Sequence, residues 1–155
     1  MSPSQWGPPT WRLFHCLAEN IKEDRYPFLA QQLYSYIYQI CSNLPCPDCS
    51  QHAKMFLAKV NAPRMTDKSH LRSMLFIFHN TVNKRKNKPQ YEFDNLTIYQ
   101  NINFIDAFNE FSKYYITKGN MNQINDNIYR GRILQNMRNW LLSNLHSFNY
   151  PSPMK

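Results

Sequence analysis

The chain has 155 residues, of which 43% are apolar and 15% aromatic, a composition that excludes an intrinsically disordered protein. Its length suits one domain whose core needs no disulfide scaffold, and its three glycines lie too far apart for a glycine-rich nucleotide-binding loop. With 18 basic and 10 acidic side chains the formal charge is +8, which favours an anionic partner: nucleic acid, a phosphate-bearing cofactor or a membrane surface.

Apolar residues recur at helical spacing in six stretches of the chain, and no stretch alternates as a half-buried strand would. The first two stretches follow Pro8-Pro9 and Pro27, residues that suit the first turn of a helix. Asp94 is the predicted N-cap of the fifth helix. In chain order the stretches cover 11–21, 29–44, 49–60, 71–82, 96–108 and 124–145. The sequence therefore predicts an all-α protein, built as a helical bundle.

The last stretch carries a wide apolar face, which must be buried against another surface. Its own bundle, a second subunit and an external partner are the three alternatives, and Gly119-Asn120 is the predicted break before it. No apolar run approaches the ~18 residues of a membrane span. The N-terminus lacks the basic start and apolar core of a signal peptide. We therefore expect an intracellular protein that is not secreted and does not span a membrane.

The strongest chemical signal is the run Cys46-Pro47-Asp48-Cys49, whose cysteines can close a small, reducible disulfide at the start of a helix. A helix N-terminus places partial positive charge near the thiols and stabilises a thiolate. The motif therefore predicts a redox centre or a metal site. A structural zinc ion is an alternative because His52 continues the spacing and a fourth ligand would complete the site. The candidates for that ligand are Cys41, His70 and His79.

Two further motifs flank this pair. Upstream, Trp6-Gly7-Pro8 followed by Trp11 and His15 reads W-G-P-x-x-W-x-x-x-H, and the pair itself lies in L-P-C-P-D-C-S-Q-H at 44–52. Downstream, residues 79–89 read H-N-T-V-N-K-R-K-N-K-P. In this order the three motifs resemble those of the Erv/ALR family of FAD-linked sulfhydryl oxidases. The short chain is similar to the members encoded by large DNA viruses that replicate in the cytoplasm.

The resemblance implies a four-helix bundle that holds FAD, a short fifth helix that crosses it and, in this chain, an additional C-terminal helix. It assigns residues 1–118 to an FAD-binding sulfhydryl oxidase domain and leaves 119–155 as a helical extension that is not an independent domain. FAD needs an aromatic and apolar slot for its rings and cations for its diphosphate. The residues expected to bind it are Gly7, Pro8, Trp11, His15, His52, His79, Asn80, Val82, Asn83, Arg85, Lys88 and Tyr91.

The resemblance also implies the roles of the two catalytic cysteines. A substrate dithiol attacks Cys46, Cys49 lies against the flavin, and electrons pass through FAD to O₂, which yields H₂O₂. The expected partners are thiol-containing protein substrates, a thioredoxin-like relay protein and a second copy of the chain in a homodimer, without nucleic acid or a metal ion. The expected location is the cytoplasm of an infected host cell, the virion, or both.

The chain also departs from the family pattern, and other interpretations stay open. Cys16 and Cys41 fall outside the motifs and are predicted to be ordinary buried thiols, and the third motif has Lys86 and Asn87 where the family has Leu and Gly. The alternatives are a zinc-binding module, a basic nucleic-acid-binding module that uses residues 84–88, and a helical virion or scaffold protein without catalysis. A fragment that ends at Lys118 is expected to fold, bind FAD and oxidise small dithiols.

Overall fold

The computed structural model describes residues 3–116 and 124–149, in which six α-helices and three short 3-10 helices follow one another. The α-helices are α1 (Pro3–Asn20), α2 (Tyr26–Ser42), α3 (Pro47–Ala58), α4 (Lys68–Arg85), α5 (Phe104–Tyr115) and α6 (Ile124–Ser143). The 3-10 helices are Ala62–Arg64, Phe93–Asn101 and Leu145–Ser147. Extended pairing in these two ranges is an isolated bridge between Ile21 and Phe148. The prediction of an all-α protein is confirmed.

The first helix begins earlier than its prolines predicted. Because α1 starts at Pro3, Pro8 and Pro9 lie inside the helix rather than in its first turn. A proline has no N–H to donate to the preceding turn. The hydroxyl of Thr10 donates to the carbonyl oxygen of Trp6 at 2.7 Å, a side-chain bond across the same turns. The early start places the whole W-G-P-x-x-W-x-x-x-H motif on one helix.

The predicted fifth helix over 96–108 is wrong in its start. The segment forms the 3-10 helix Phe93–Asn101, and α5 begins only at Phe104. Asp94 caps neither element, whereas the side chain of Asn103 accepts two backbone N–H groups of α5, at 2.9 and 3.3 Å. A side-chain acceptor of this kind starts a helix because it satisfies N–H groups that have no partner in the first turn. Because this cap starts a new helix, the apolar residues of 96–108 belong to two helical elements instead of one.

Two buried polar side chains at the end of α1 fasten the 3-10 helix Phe93–Asn101 to the bundle. Glu19, 2% exposed, pairs with Arg72 of α4 at 2.7 Å and accepts a hydrogen bond from Gln100 at 3.3 Å. Asn20 donates to the carbonyl oxygen of Tyr99 at 2.9 Å. A buried carboxylate needs such partners to offset its desolvation. These bonds fix Tyr99 against α1.

The core lies around α1, which packs against α4, α5 and the 3-10 helix Phe93–Asn101, while α2 packs against α3 and α6. Large aromatic and aliphatic side chains fill the space between these helices, and their burial supplies the main driving force for folding. The bulkiest side chains buried there include Leu13, Phe14, Leu17, Ile21, Tyr26, Leu33, Ile37, Ile40, Leu57, Phe104, Phe111 and Tyr115.

The C-terminal helix packs on the bundle of its own chain, against α2 and α5, which is the first of the three alternatives for its apolar face. Trp140 donates its indole N–H to Gln32 of α2 at 2.9 Å. The residues of α6 that are buried are Arg130, Ile133, Leu134, Met137 and Leu141. The predicted stripe was too long, because Ile124, Ile128 and Leu145 are exposed.

The chain after α6 returns to the end of α1. Phe148 stacks on Phe104 of α5 with ring centroids 4.8 Å apart, and the backbone N–H of Asn149 donates to the carbonyl oxygen of Asn20 at 2.7 Å. The predicted break at Gly119-Asn120, and with it the boundary between residues 118 and 119, lies outside the described residues. Among the helices of 3–116 and 124–149, none is long and apolar enough to cross a membrane.

Candidate active site

The cysteines of the C-x-x-C motif form a disulfide at the start of α3, with their Cα atoms 5.2 Å apart. Cys46 precedes the helix in extended backbone, and its Sγ accepts the backbone N–H of Cys49 at 3.2 Å, as an N-cap side chain does. Pro47 occupies the start of the helix, where its missing N–H costs nothing. The peptide dipoles of α3 place partial positive charge at the disulfide, so that a thiolate formed by its reduction is stabilised.

The loop before the disulfide is held by Ser50, a buried residue of α3. Its hydroxyl accepts the backbone N–H of Leu44 at 2.8 Å, and its own N–H donates to the carbonyl oxygen of Cys46 at 3.0 Å. These two bonds attach Leu44 and Cys46, residues of the loop, to α3. The position of Cys46 is therefore set by α3 rather than by the loop alone.

Cys49 lies in the wall of a narrow cavity of about 50 Å³, which we call the inner cavity. Its lining is mostly aromatic and apolar, and Cys46 does not belong to it. The lining residues are Trp6, Gly7, Thr10, Trp11, Phe14, Cys41, Leu44, Cys49, His52, Ala53, Phe78, Val82, Arg85 and Lys86. The two sulfurs thus have different surroundings: that of Cys49 borders an aromatic slot.

A wider groove of about 560 Å³, the outer groove, runs along α1 and α4. It shares Gly7, Trp11, Val82 and Lys86 with the inner cavity, so that the two are adjacent, and together we call them the cleft. Besides these four, its lining residues are Pro3, Pro8, Arg12, His79, Asn83, Lys88, Pro89, Gln90, Tyr91, Glu92, Asn95 and Tyr99. The cleft therefore joins an apolar, ring-lined end to an open end that carries several cations.

A stack of aromatic rings forms the floor between the two parts of the cleft. Trp11 lies parallel to His79, with ring centroids 4.2 Å apart and planes within 6°. His15 Nε2 lies 2.9 Å from His79 Nδ1, a hydrogen bond that joins α1 to α4 across 64 positions of the chain. Tyr99 stacks on His15, and Tyr91 tilts against His79, at 5.0 and 4.8 Å.

Burial keeps both histidines uncharged. Desolvation lowers the pKa of His15 from 6.5 to about 3, with a smaller contribution from the neighbouring His79. Desolvation also lowers the pKa of His79 from 6.5 to about 4, and the nearby ammonium group of Lys88 adds to this effect. At neutral pH one ring therefore donates and the other accepts in their hydrogen bond. The pair forms a neutral polar edge within an aromatic wall.

Two asparagines of α4 position the chain segment that follows the helix. Asn80 bonds to the backbone of Tyr91 through both ends of its amide, at 2.7 and 3.1 Å, and Asn83 donates to the carbonyl oxygen of Pro89 at 3.2 Å. Between Asn83 and Pro89, Asn87 has a φ of 55°. This is the left-handed region of the backbone, which favours glycine and which Asn tolerates better than most other residues. The replacement of the family's Gly by Asn87 is therefore compatible with the turn.

The basic run at 84–88 divides between the cleft and the solvent. Arg85 lines the inner cavity, Lys88 lines the outer groove, and Lys86 lines both. Lys84 is exposed and lines neither of them. Arg12 adds a third cation to the outer groove and also forms an ion pair with Glu110 of α5. The cations are thus distributed along the cleft, from the inner cavity to the outer groove, instead of forming one uniform basic surface.

Most of the residues predicted to bind FAD lie along this cleft. Gly7, Trp11 and Val82 line both of its parts; His52 and Arg85 line the inner cavity; Pro8, His79, Asn83, Lys88 and Tyr91 line the outer groove. His15 and Asn80 line neither part. His15 lies behind His79, to which it bonds, and Asn80 holds Tyr91. Their roles toward a cofactor stay predictions.

Sequence reasoning missed several lining residues. Trp6 opens the first motif and is 5% exposed in the inner cavity, and its Nε1 has no hydrogen-bond acceptor among the described residues. Lys86 lies in the basic run at 84–88, but it was predicted only to depart from the family pattern and not to bind the cofactor. Arg12 directly follows the predicted Trp11 in the chain and lines the outer groove. The motifs contained a signal for the first two, whereas Arg12 falls at an unspecified position of the first motif.

The other two cysteines are free and buried, as predicted. Burial raises the pKa of the Cys16 thiol to about 12, with a smaller opposing effect from Asn20, and it raises the pKa of Cys41 as well. Neither is therefore a ready thiolate. Within residues 3–116 and 124–149, no group of three His, Cys, Asp or Glu side chains is arranged to hold a metal ion. The ligand set that the zinc alternative needs is not assembled there.

The chemistry of the cleft suits a ligand that joins a flat ring system to an anionic chain. Aromatic rings, an indole N–H without an acceptor among the described residues and the cation Arg85 line the inner cavity, whereas the neutral His79 and the cations Arg12 and Lys88 line the outer groove. The Cys46–Cys49 disulfide borders the inner cavity through Cys49. The site thus defines a class of protein: a helical bundle in which a dithiol pair lies beside a slot for a ring-bearing, anionic cofactor.

The model of the Erv1 / Alr family matches residues 8–103, most of the chain, and the chain belongs to this family. It is 28% identical over 89 residues to the mitochondrial FAD-linked sulfhydryl oxidase erv1 of Schizosaccharomyces pombe, a match that covers 57% of this chain and 49% of that protein. It is 31% identical over 91 residues to the putative FAD-linked sulfhydryl oxidase 096R of Invertebrate iridescent virus 3, which covers 58% and 62%.

A third relative is the FAD-linked sulfhydryl oxidase of African swine fever virus, 32% identical over 83 residues, with 54% of this chain and 69% of that protein covered. The chain thus spans about half to two thirds of the relatives' lengths. No solved structure matches it significantly. The family match ends before α5, so that α5 and α6 lie outside it.

Proposed function

We propose that this protein is an FAD-dependent thiol oxidase that forms disulfide bonds in protein substrates. The observation that carries the proposal is the Cys46–Cys49 disulfide at the start of α3, with Cys49 in the wall of the aromatic inner cavity. Family membership supports it, as do the names of relatives that are FAD-linked sulfhydryl oxidases. A dithiol pair of this kind must receive electrons from a substrate on one side and pass them to a cofactor on the other. It therefore needs one cysteine outside the cofactor slot and one in its wall.

The chemistry at sulfur is a sequence of two exchanges. A substrate thiolate attacks Cys46 Sγ, the bond between the two sulfurs breaks, and Cys49 leaves as a thiolate with the electron pair. The second substrate thiol then loses its proton and displaces Cys46, which leaves a substrate disulfide and two reduced cysteines. The dipoles of α3 and the N–H of Cys49 stabilise the negative charge on the departing sulfurs.

The residues present fit FAD, and we assign its rings to the aromatic inner cavity and its diphosphate to the cations along the cleft, Arg85 of the inner cavity and Lys88 of the outer groove. When bound, FAD accepts the electron pair from the reduced cysteines and delivers it to O₂, which yields H₂O₂. Trp11, with the His15–His79 pair behind it, would stack on and bond to the ring system, and Trp6 offers an N–H. Arg85 and Lys88 would bind the phosphate oxygens, because cationic donors form the strongest hydrogen bonds to them.

The test is the visible absorbance spectrum of the purified protein, together with oxygen uptake in the presence of dithiothreitol. A flavin spectrum that bleaches with dithiothreitol under anaerobic conditions and returns with air is the expected result. A colourless protein that takes up zinc, or one that binds nucleic acid with strong salt dependence, would support the alternatives instead.

We further propose that residues 1–118 form the FAD-binding domain and that 119–155 form an extension that is not an independent domain. The burial of the α6 side chains against α2 and α5 supports this assignment. Thiol-containing proteins, with a thioredoxin-like relay, are the proposed partners, and a homodimer is the proposed assembly. The viral relatives favour a location in the cytoplasm of an infected cell or in the virion. Light scattering on the purified protein tests the dimer.

A further inference from the structure

The C-terminal helix reaches the outer side of the redox loop and completes a second groove there. This groove, of about 310 Å³, is called the loop groove. One wall contains Pro45 and Pro47, and the other contains Asp126 and Arg130 of α6. Because Pro45 and Pro47 flank Cys46 in the chain, a peptide in the loop groove lies next to the cysteine that does not line the inner cavity.

Arg130 is an unusual side chain for the wall of an open groove. It is 5% exposed, and its Nε is buried without an acceptor among the described residues. Its guanidinium lies 5.9 Å from the centre of the Tyr115 ring, which offers a cation–π contact and no carboxylate. Ion pairs within 3–116 and 124–149 use Glu19, Asp67 and Glu110, and none of them reaches Arg130.

A buried cation without an anion is costly, so proteins rarely keep one unless something else pairs with it. Asp126 lies one turn earlier on the same helix and lines the same groove, yet it is exposed and forms no ion pair with Arg130. The guanidinium fork matches a carboxylate in shape and charge. A carboxylate that enters the groove would pair with this guanidinium, whose Nε has no acceptor among the described residues.

We propose that the loop groove binds the polypeptide segment that flanks a substrate cysteine, and that a carboxylate of this segment pairs with Arg130. This inference rests on the proposed thiol oxidase function and names its substrate class: protein dithiols with an Asp or Glu close to the reactive cysteine. Ser50 supports the assignment, because its two bonds hold the groove wall that carries Cys46 in place. Since α6 lies outside the family match, this specificity belongs to the part of the chain that the family does not share.

The experiment compares two reduced dithiol peptides that differ only in a Glu or a Gln beside the first cysteine. With the wild-type protein, kcat/KM for oxygen uptake should be about tenfold higher for the Glu peptide, the lower end of what a charge-assisted bond supplies. In Arg130→Met the preference should disappear, and in Arg130→Lys it should shrink because the fork is lost. Arg138→Met, an exposed change on the same helix, should keep it.

Equal kcat/KM for the two peptides with the wild-type protein would overturn the inference, as would a preference that survives Arg130→Met. A comparable advantage for glutathione over an uncharged monothiol would assign the groove to a small thiol instead. Dithiothreitol turnover by the wild-type protein tests the proposed function separately. Serine-substituted peptides, titrated by fluorescence anisotropy against the wild-type protein, test the groove even without turnover or a stable variant: equal affinities would reject it.

Discussion

The face of the bundle formed by α1 and α4 differs from the face closed by α5 and α6. The first buries polar side chains, among them Thr10, His15, His79 and Asn83, beside an indole N–H that has no acceptor among the described residues. The second buries mainly rings and aliphatic chains, such as Phe111 and Leu141, with Arg130 as its buried polar exception. Buried polar groups cost stability unless they are paired, whereas buried apolar groups add to it. The comparison indicates that the two faces divide the work: one holds the site, and the other stabilises it.

The largest effect is expected at the disulfide. Cys49→Ser and Cys46→Ser should each abolish dithiol-dependent oxygen uptake, because neither variant can form the disulfide that accepts electrons, and both should retain FAD. Cys16→Ala, a change at a buried thiol that lines neither part of the cleft, should keep turnover within a few-fold. Oxygen electrode traces and flavin content on the same samples decide the matter. Full turnover by either serine variant would remove the redox role from this pair.

Two adjacent leucines of α6 test whether the face closed by α5 and α6 stabilises the bundle. Leu141 is 1% exposed in the contact of α6 with the bundle, while Leu142 is 50% exposed. We expect Leu141→Ala to lower the free energy of unfolding by about 2–5 kcal/mol, through lost burial and the cavity left behind. Leu142→Ala should change it by no more than about 0.5 kcal/mol. Urea denaturation measures both, and equal costs would show that α6 does not stabilise the bundle.

The polar face predicts a pH dependence of stability. The pKa values of His15 and His79 in the fold, about 3 and 4, lie below the 6.5 of the unfolded chain. Between pH 6.5 and these values the unfolded state binds more protons, so the contribution present above pH 6.5 is lost as pH falls. Each histidine adds a slope of at most about 1.4 kcal/mol per pH unit.

Urea denaturation of the purified protein at several pH values measures this slope. His15→Asn should make it shallower, while His146→Asn, at an exposed position after α6, should leave it unchanged. An identical slope in His15→Asn and wild type would show that the buried histidine pair does not cause the loss of stability at low pH.

The smallest effect is expected from the cations along the cleft. Arg85→Ala and Lys88→Ala should each raise the dissociation constant for FAD about tenfold, the lower end of the range for a charge-assisted hydrogen bond. Lys84→Ala is the matched control, since its side chain is exposed and lines neither part of the cleft. Titration of the flavin-free protein, followed by flavin fluorescence, gives the constants. Comparable losses in all three variants would indicate a general charge effect rather than a diphosphate site.

Much of the site was contained in the sequence because its signals are local. The C-x-x-C spacing, the proline after Cys46 and the helical spacing of Trp11 and His15 depend on residues that are near each other in the chain. Such features predict a helix start and a shared helix face without knowledge of the fold. The order of three motifs then specified the family, and the family model confirms it.

The tertiary structure alone decided which elements meet. The bond between His15 and His79 joins residues 64 positions apart, and Arg130 comes beside the redox loop only because α6 packs on α2 and α5. No local pattern encodes such contacts, since they arise from the packing of whole helices against a common core. The division of the apolar stretch 96–108 into two elements also depended on contacts with a distant helix. Asn103 offered a cap, and Glu19 and Asn20 of a distant helix held the 3-10 segment that preceded it.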